Sequence, residues 1–240
     1  MDNELLLLSG NDIPFYAAKL NIRQPKLKDI ALIGESSFFT ACHLLNFSKD
    51  LLSEEDKINL SDISDFDILM SIINEKQAAS ARISVLMLLT LLFPNYSIDF
   101  SLERGIVLTE NENEYVLNRE NYSEFKEILV KMFKLSKMKG DDYNPVNSRA
   151  AEIAEKLRKG REKAAEAKGE KTGSIFSRYV SILSIGLKIN VSDLLEYTIY
   201  QIHDTFDRFN AYQNFDINLR ARMAGATDLD EVPNWMGDID

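Results

Sequence analysis

"ISVLMLLTLLFPNYSIDFSLERGIVLTENENEYVLN", residues 83–118, is where the chain changes its period. Up to Phe93 the run is apolar nearly all round, which on a helix means burial on more than one side. Pro94 then ends the helix, because it offers no backbone N–H to continue the ladder. Beyond it, "YSIDFS", "GIVLTE" and "EYVLN" alternate in steps of two, separated by "LER" and "NEN". Alternation over such short runs, broken by polar turn residues, is the pattern of strands joined by hairpins. Residues 96–118 are therefore expected to form a three-stranded antiparallel meander. The apolar run at 83–93 is about half of the ~20 residues that a membrane-spanning helix requires. Leu86, Leu89 and Leu92 are accordingly expected in a core or a subunit interface, not facing lipid.

On both sides of this stretch helical periodicity prevails. The expected fold class is mainly α (α+β): a helical protein with a small three-stranded antiparallel β-meander near 96–118. Toward the N-terminus, residues 15–24, "FYAAKLNIRQ", carry a weak strand pattern. The segment "KLKDIALIGESSFFTACHLLNF" places Leu27, Ile30, Ala31, Ile33, Phe38 and Leu45 on a roughly helical apolar face, with a bend expected at Gly34. Ser64 or Asp65 suits the N-cap of a helix over "FDILMSIIN". Toward the C-terminus, Asn121 with Glu124 three residues on reads as a variant capping box that opens "EFKEILVKMFKL". Residues 136–147 read as a linker. The charged segment from Ser148 to Gly173 reads as a solvated projecting helix with a thin apolar stripe, Ile153 and Leu157. "SIFSRYVSILSIGLK" is core-like again, and Asn190 with Asp193 is expected to cap a helix that carries on to Ala224, with a break near Asn214. This divides the chain into residues 1–140, an N-terminal helical domain with the meander; 141–173, linker and charged helix; and 174–240, a C-terminal helical region with an acidic tail.

The C-terminal helix contains "YTIYQIHDTFDRFNAYQNF", residues 197–215. Tyr197, Tyr200, His203, Phe206, Phe209, Tyr212 and Phe215 fall at every third position. Each such step on an α-helix falls about 60° short of a full turn, so six steps carry the rings once round the cylinder, roughly 360°. A surface helix needs only one apolar stripe. A spiral of rings implies contact on several sides: a central helix wrapped by its own domain, or a helix that meets its own core at one end and a partner at the other. Polar residues between the rings (Gln201, Asp204, Asp207, Arg208, Asn210, Gln213) argue against full burial within one domain. Candidate partner-binding residues are Tyr197, Tyr200, Phe206, Phe209, Tyr212 and Phe215. Trp235 and Met236 join them, since a lone tryptophan in the otherwise acidic end "EVPNWMGDID" is suited to docking, either back onto the aromatic helix or onto a partner.

Composition narrows the function classes. With 38 acidic against 28 basic residues the net charge is −10, so the chain as a whole is not steered toward nucleic acid or anionic lipid. Arg149 to Lys171 has eight Lys/Arg and five Glu, net +3. The interleaved glutamates and the lack of aromatics favour a solvated helix face over a nucleic-acid site. The single cysteine, Cys42, rules out an internal disulfide and fits a reducing compartment. "MDNELLLLSG" has no basic region of the kind that opens a signal peptide, so a soluble cytosolic protein is expected. There is no CxxC, HExxH, phosphate loop or dinucleotide fingerprint, and "GESS" lacks the second glycine of a nucleophile elbow. His203 reads as a packed histidine. The chain is expected to be no enzyme, with no metal or cofactor.

"SIFSRYVSILSIGLKINVSDLLEYTIYQIHDTFDRF", "RARMAGATDLDEVPNWMGDID" and "IRQPKLKDIALIGESSFFTACHLLNF" resemble proteins encoded in tail modules of phages and prophages of Gram-positive bacteria. The chain is similar to members of the tail assembly chaperone group over most of its length, best in 12–60 and 174–240. The resemblance implies a non-enzymatic role: binding the tape measure protein and helping to recruit tail tube subunits. A location in the host cytoplasm and self-association are further expectations. Two other readings belong to different classes, a structural tail or neck component of the virion and a nucleic-acid-associated phage regulator.

Overall fold

A computed structural model describes residues 4–48, 62–75, 79–135, 174–226 and 235–237. The linker and charged helix expected at 136–173 lie outside the described residues. The fold is mainly α with the expected meander. Helix α1 (Glu4–Ser9) leads into a two-stranded hairpin, β1 (Ile13–Phe15) and β2 (Leu20–Ile22). Helices α2 (Leu27–Ile33) and α3 (Glu35–Leu45) follow, separated at Gly34, where φ is +85°. Helix α4 (Asp65–Asn74) starts on the expected cap: Ser64 Oγ accepts from Asp67 N at 3.1 Å, and the Asp67 carboxylate accepts from Ser64 N at 3.3 Å. Helix α5 (Ala79–Leu92) ends just before Pro94.

The meander consists of β3 (Ser97–Ser101), β4 (Gly105–Glu110) and β5 (Asn113–Leu117), paired in that order and all antiparallel. Ile98 lies opposite Leu108, and Ile106 opposite Leu117. Helices α6 (Tyr122–Met132), α7 (Ile175–Leu187), α8 (Val191–Leu194) and α9 (Ile199–Met223) complete the described elements. None of the described helices is long and apolar enough to cross a membrane.

Helix α5 buries one face only, since Ile83, Met87 and Thr90 on its other side are exposed although the run is apolar nearly all round. Val85, Leu88, Leu89 and Leu92 are fully buried, and α2, α3, α4 and β3 pack against that face. Leu86, expected to be buried, is half-buried at the edge of this core. The core continues through Phe38 and Phe133, whose rings meet edge to face at 5.1 Å, and through Phe93, Phe125 and Phe15. Phe176, Val180, Leu183, Leu194, Ile199, Tyr200 and Ile202 belong to the same cluster. The regions 1–140 and 174–240 thus share one core where both are described.

Two local expectations need correction. Asn121 and Glu124 form no capping box. Asn121 closes the turn after β5 instead, accepting from Asn118 N at 2.9 Å and donating to Val116 O at 2.8 Å. Glu124 accepts from the backbone N–H of Tyr16 and Ala17 at 3.0 and 3.1 Å, which satisfies two donors in the β1–β2 turn. Likewise, the helix begun at Asn190 does not run into the aromatic series. It stops after Leu194 in a turn, with Glu196 N donating to Asp193 O and Tyr197 N to Leu194 O, and the chain becomes extended only at Thr198, where the seam with the start of α2 forms. Leu27 N donates to Tyr197 O at 2.9 Å, and Lys28 N donates to Leu195 O at 3.0 Å. Lys26 and Thr198 form an antiparallel bridge. The helix restarts on Thr198 and is unbroken at Asn214.

A charge clamp lies over this seam. The Glu196 carboxylate accepts from Lys26 Nζ at 2.7 Å and Lys28 Nζ at 2.5 Å. The Lys26 hydrogen bond, then that of Lys28, lowers its pKa from 4.5 to about 2. A depressed carboxylate stabilises the fold above its unfolded pKa and loses that contribution as pH falls through the folded one. The clamp is therefore intact above pH 4.5 and lost between about 4.5 and 2. Glu196→Gln is expected to melt slightly below the wild type at neutral pH, with the gap closing toward pH 2. A gap that is unchanged at pH 2 would show that the clamp's charge contributes nothing.

Candidate functional site

The start of α9 is fixed on three sides. Thr198 and Gln201 form a capping box: Thr198 Oγ1 accepts from Gln201 N at 3.3 Å, and Gln201 Oε1 accepts from Thr198 N at 2.8 Å. Gln201 Nε2 also donates to Leu8 O at 2.8 Å, which ties this end to α1. Helix α7, beside it, begins on Ser174, and the Glu35 carboxylate accepts from Ile175 N at 2.8 Å. Anions at a helix N-terminus are favoured by the exposed N–H groups and the dipole.

The aromatic spiral meets a different neighbour at nearly every step. Tyr197 precedes the helix, with its ring at the core edge. Tyr200, 6% exposed, donates to Glu4 Oε1 at 3.3 Å and lies under Lys134 Nζ, 4.8 Å from the ring centroid. Burial first, and then the charges of Glu4 and Asp204, push the Tyr200 phenol up to about 12. Lys134 also lies 3.7 Å from Asp204 and 3.5 Å from Asp207, joining the end of α6 to α9. His203, 8% exposed, faces Tyr179 edge-on at 5.3 Å, and Phe206 stacks on that same tyrosine at 4.2 Å. Phe209 fills the notch over Gly186 of α7, where a Cβ would fall 2.3 Å from the ring. Tyr212 meets Trp235 edge to face at 5.3 Å. Phe215 is 36% exposed.

The rings thus follow the elements that wrap the helix: α1 and α6 first, then α7, then the returning tail, then solvent. Helix α9 is about 37 Å long at 1.5 Å per residue. Its own domain covers roughly the first half. Beyond it, Tyr212, Ile217, Leu219 and Met223 are all exposed, Met223 at 80%. The helix ends on Gly225 (φ +95°) in a Schellman motif, with Gly225 N donating to Arg222 O and Ala226 N to Ala221 O. The tail reappears at 235–237, held on α9 by Arg208. One Arg208 guanidinium nitrogen donates to Trp235 O at 3.2 Å and to Gly237 O at 2.6 Å. Trp235 is half-buried and Met236 is 72% exposed.

The eight residues singled out from sequence are therefore not one surface. Tyr197, Tyr200, Phe206 and Phe209 pack within the fold. Tyr212, Phe215, Trp235 and Met236 lie on or beside the projecting half. Sequence reasoning missed Leu219 and Met223, which extend that surface, and Arg208, which clasps the tail. The spacing 212, 215, 219, 223 was the available signal, hidden behind the more conspicuous three-residue series.

Other features offer less chemistry. Among the described residues no group of three His, Cys, Asp or Glu side chains is placed to hold a metal ion. Cys42 is buried, and burial raises its thiol pKa, which disfavours the reactive thiolate. A cleft of about 270 Å³ opens between α2 and α7, lined by Leu27, Ile30, Phe176, Val180 and Leu195. Its one charged lining residue, Glu35, already caps α7.

Residues 169–240 match the family model of the YomV second domain, a phage-associated family. The match spans α7, α8, α9 and the tail, so the whole projecting surface falls within it. Neither the curated proteins nor the solved structures contain a match to the chain.

Proposed function

We propose that the chain is a non-enzymatic phage tail assembly chaperone that works in the host cytoplasm, binds the tape measure protein and assists assembly of the tail tube. The observation that carries this reading is the projecting half of α9. It displays apolar side chains on several sides, beyond the reach of its own core, in the part of the chain that resembles a phage-associated family. Apolar positions three and four residues apart are the means by which one helix recognises another, and a long helical client presents many such registers. The clasp of Arg208 on the tail and the contact of Trp235 with Tyr212 give this surface a cover that a client can displace.

The test uses the purified chain and the tape measure protein of the same phage. Direct binding, together with absence of the chain from mature particles, is the expected result. Retention in mature tails would overturn the reading in favour of a structural tail or neck component. Salt-sensitive binding to DNA, with none to the tape measure protein, would overturn it in favour of a nucleic-acid-associated regulator.

A further inference from the structure

We infer that the exposed half of α9 pairs, antiparallel, with the same stretch of a second copy of this chain. Tyr212, Phe215, Leu219 and Met223 are exposed at 45%, 36%, 45% and 80%. At spacings of three, four and four residues they fall within about 80° of one another on the helix. Earlier on the same side stand Gln201, Thr205 and Arg208, all polar. The stripe thus turns apolar where the chain's own core ends; Trp235 packs on Tyr212 at its start, and Phe215, Leu219 and Met223 carry it on along the helix.

Charge selects a second copy as its partner. The chain carries a net −10, which keeps copies apart over most of their surface. Residues 211–226 instead hold two arginines, Arg220 and Arg222, against one aspartate, Asp216, a local net of +1. Asp216 and Arg220 lie on one flank of the stripe, 2.8 Å apart, with Arg220 77% exposed at its side chain. In a two-fold antiparallel pair the same flank of each copy meets the other, because an isologous interface is self-complementary. With the axis near Asn218, Asp216 faces Arg220 of the second copy, and Arg220 faces its Asp216. The same register sets Phe215 beside Leu219 and Ala221 of that copy.

Size sets the strength. The stripe is an apolar patch of a few hundred Å², the scale at which a surface marks an interaction site. It falls short of the roughly 800 Å² per partner of a standard stable interface. The pairing is therefore weak, reversible and dependent on concentration. It uses the projecting half alone and does not depend on the identity of any client.

The test is sedimentation equilibrium of the full chain from low to high micromolar concentration, with no other protein present. The wild type is expected to shift from monomer to dimer. Asp216→Arg and Arg220→Asp are each expected to weaken the dimer roughly tenfold, since each turns two attractions into like-charge contacts. An equimolar mixture of the two variants is expected to restore it, because opposite charges then face each other across the pair. The intrachain bridge stays broken in both variants, so a local effect on the helix cannot produce that rescue. A wild type that remains monomeric throughout would overturn the inference. So would a dimerising wild type with no rescue in the mixture. Binding of the tape measure protein is a separate measurement, and either result there leaves this one intact.

Discussion

Leu89→Asp is expected to lower the stability of the chain by about 3–8 kcal/mol, read as a large drop in melting temperature. Leu89 is fully buried on the face of α5 against which α2, α3, α4 and β3 pack. Truncating a buried leucine alone costs about 2–5 kcal/mol. The aspartate adds either a buried charge or, if it takes up a proton, a carboxyl group with no partner, at a further ~1–3 kcal/mol. The sum, about 3–8 kcal/mol, is a large share of a typical stability of about 5–15 kcal/mol. Ile83→Asp, six residues earlier on the same helix and 52% exposed, is the control and should melt close to the wild type. If the two variants melt alike, Leu89 does not face the core.

Gly105→Val should be the next most damaging change, expressed as a drop in the urea midpoint. Gly105 opens β4 at φ +101°, a conformation that costs a branched residue about 1–3 kcal/mol. A Cβ there would also lie 2.4 Å from the Leu117 carbonyl oxygen and 3.1 Å from the Phe66 ring. The carbonyl belongs to the neighbouring strand and cannot rotate away, so the meander itself must open. Gly34 separates the two effects. It also has positive φ, at +85°, but nothing lies within 4 Å of its Cβ position. Gly34→Val should therefore show the conformational cost alone. Equal losses at the two sites would mean that the contact with Leu117 contributes nothing.

Both positions lie in segments whose reading from sequence was local and sound. Alternation in 96–118 carries the meander most clearly at β3, where Ile98 and Phe100 turn inward beside exposed Ser97 and Asp99, whereas the central strand β4 is buried continuously over Gly105–Leu108. Pro94 and Ser64 mark helix boundaries through backbone chemistry that needs no tertiary partner. The failures have the opposite cause. Asn121 and Glu124 have the spacing of a cap, but the glutamate serves two amides more than 100 residues earlier in the chain. Asn190 has the look of a long helix start, but the chain turns at residues 195–197, where the carbonyls of Leu195 and Tyr197 accept from Lys28 N and Leu27 N, and a new helix starts from Thr198. The true cap, Thr198 with Gln201, was present in the sequence as T-x-x-Q, concealed within an apolar run. The aromatic spiral was legible as a question only. Which rings face the core depends on how far α1, α6 and α7 extend along α9, and no local pattern encodes that.

Trp235, the chain's only tryptophan, reports directly on the projecting half of α9 and its tail as a docking surface. The measurement is its fluorescence as the tape measure protein is titrated into the full-length protein. In the free chain, packing against Tyr212 should give blue-shifted emission that iodide quenches poorly. Added tape measure protein should change both properties saturably, and Phe215→Asp should shift the midpoint at least about tenfold if this ring is an interface hot spot. A red, freely quenched emission that stays the same through the titration would contradict the account, and would mean that the tail and the exposed rings beside it receive nothing.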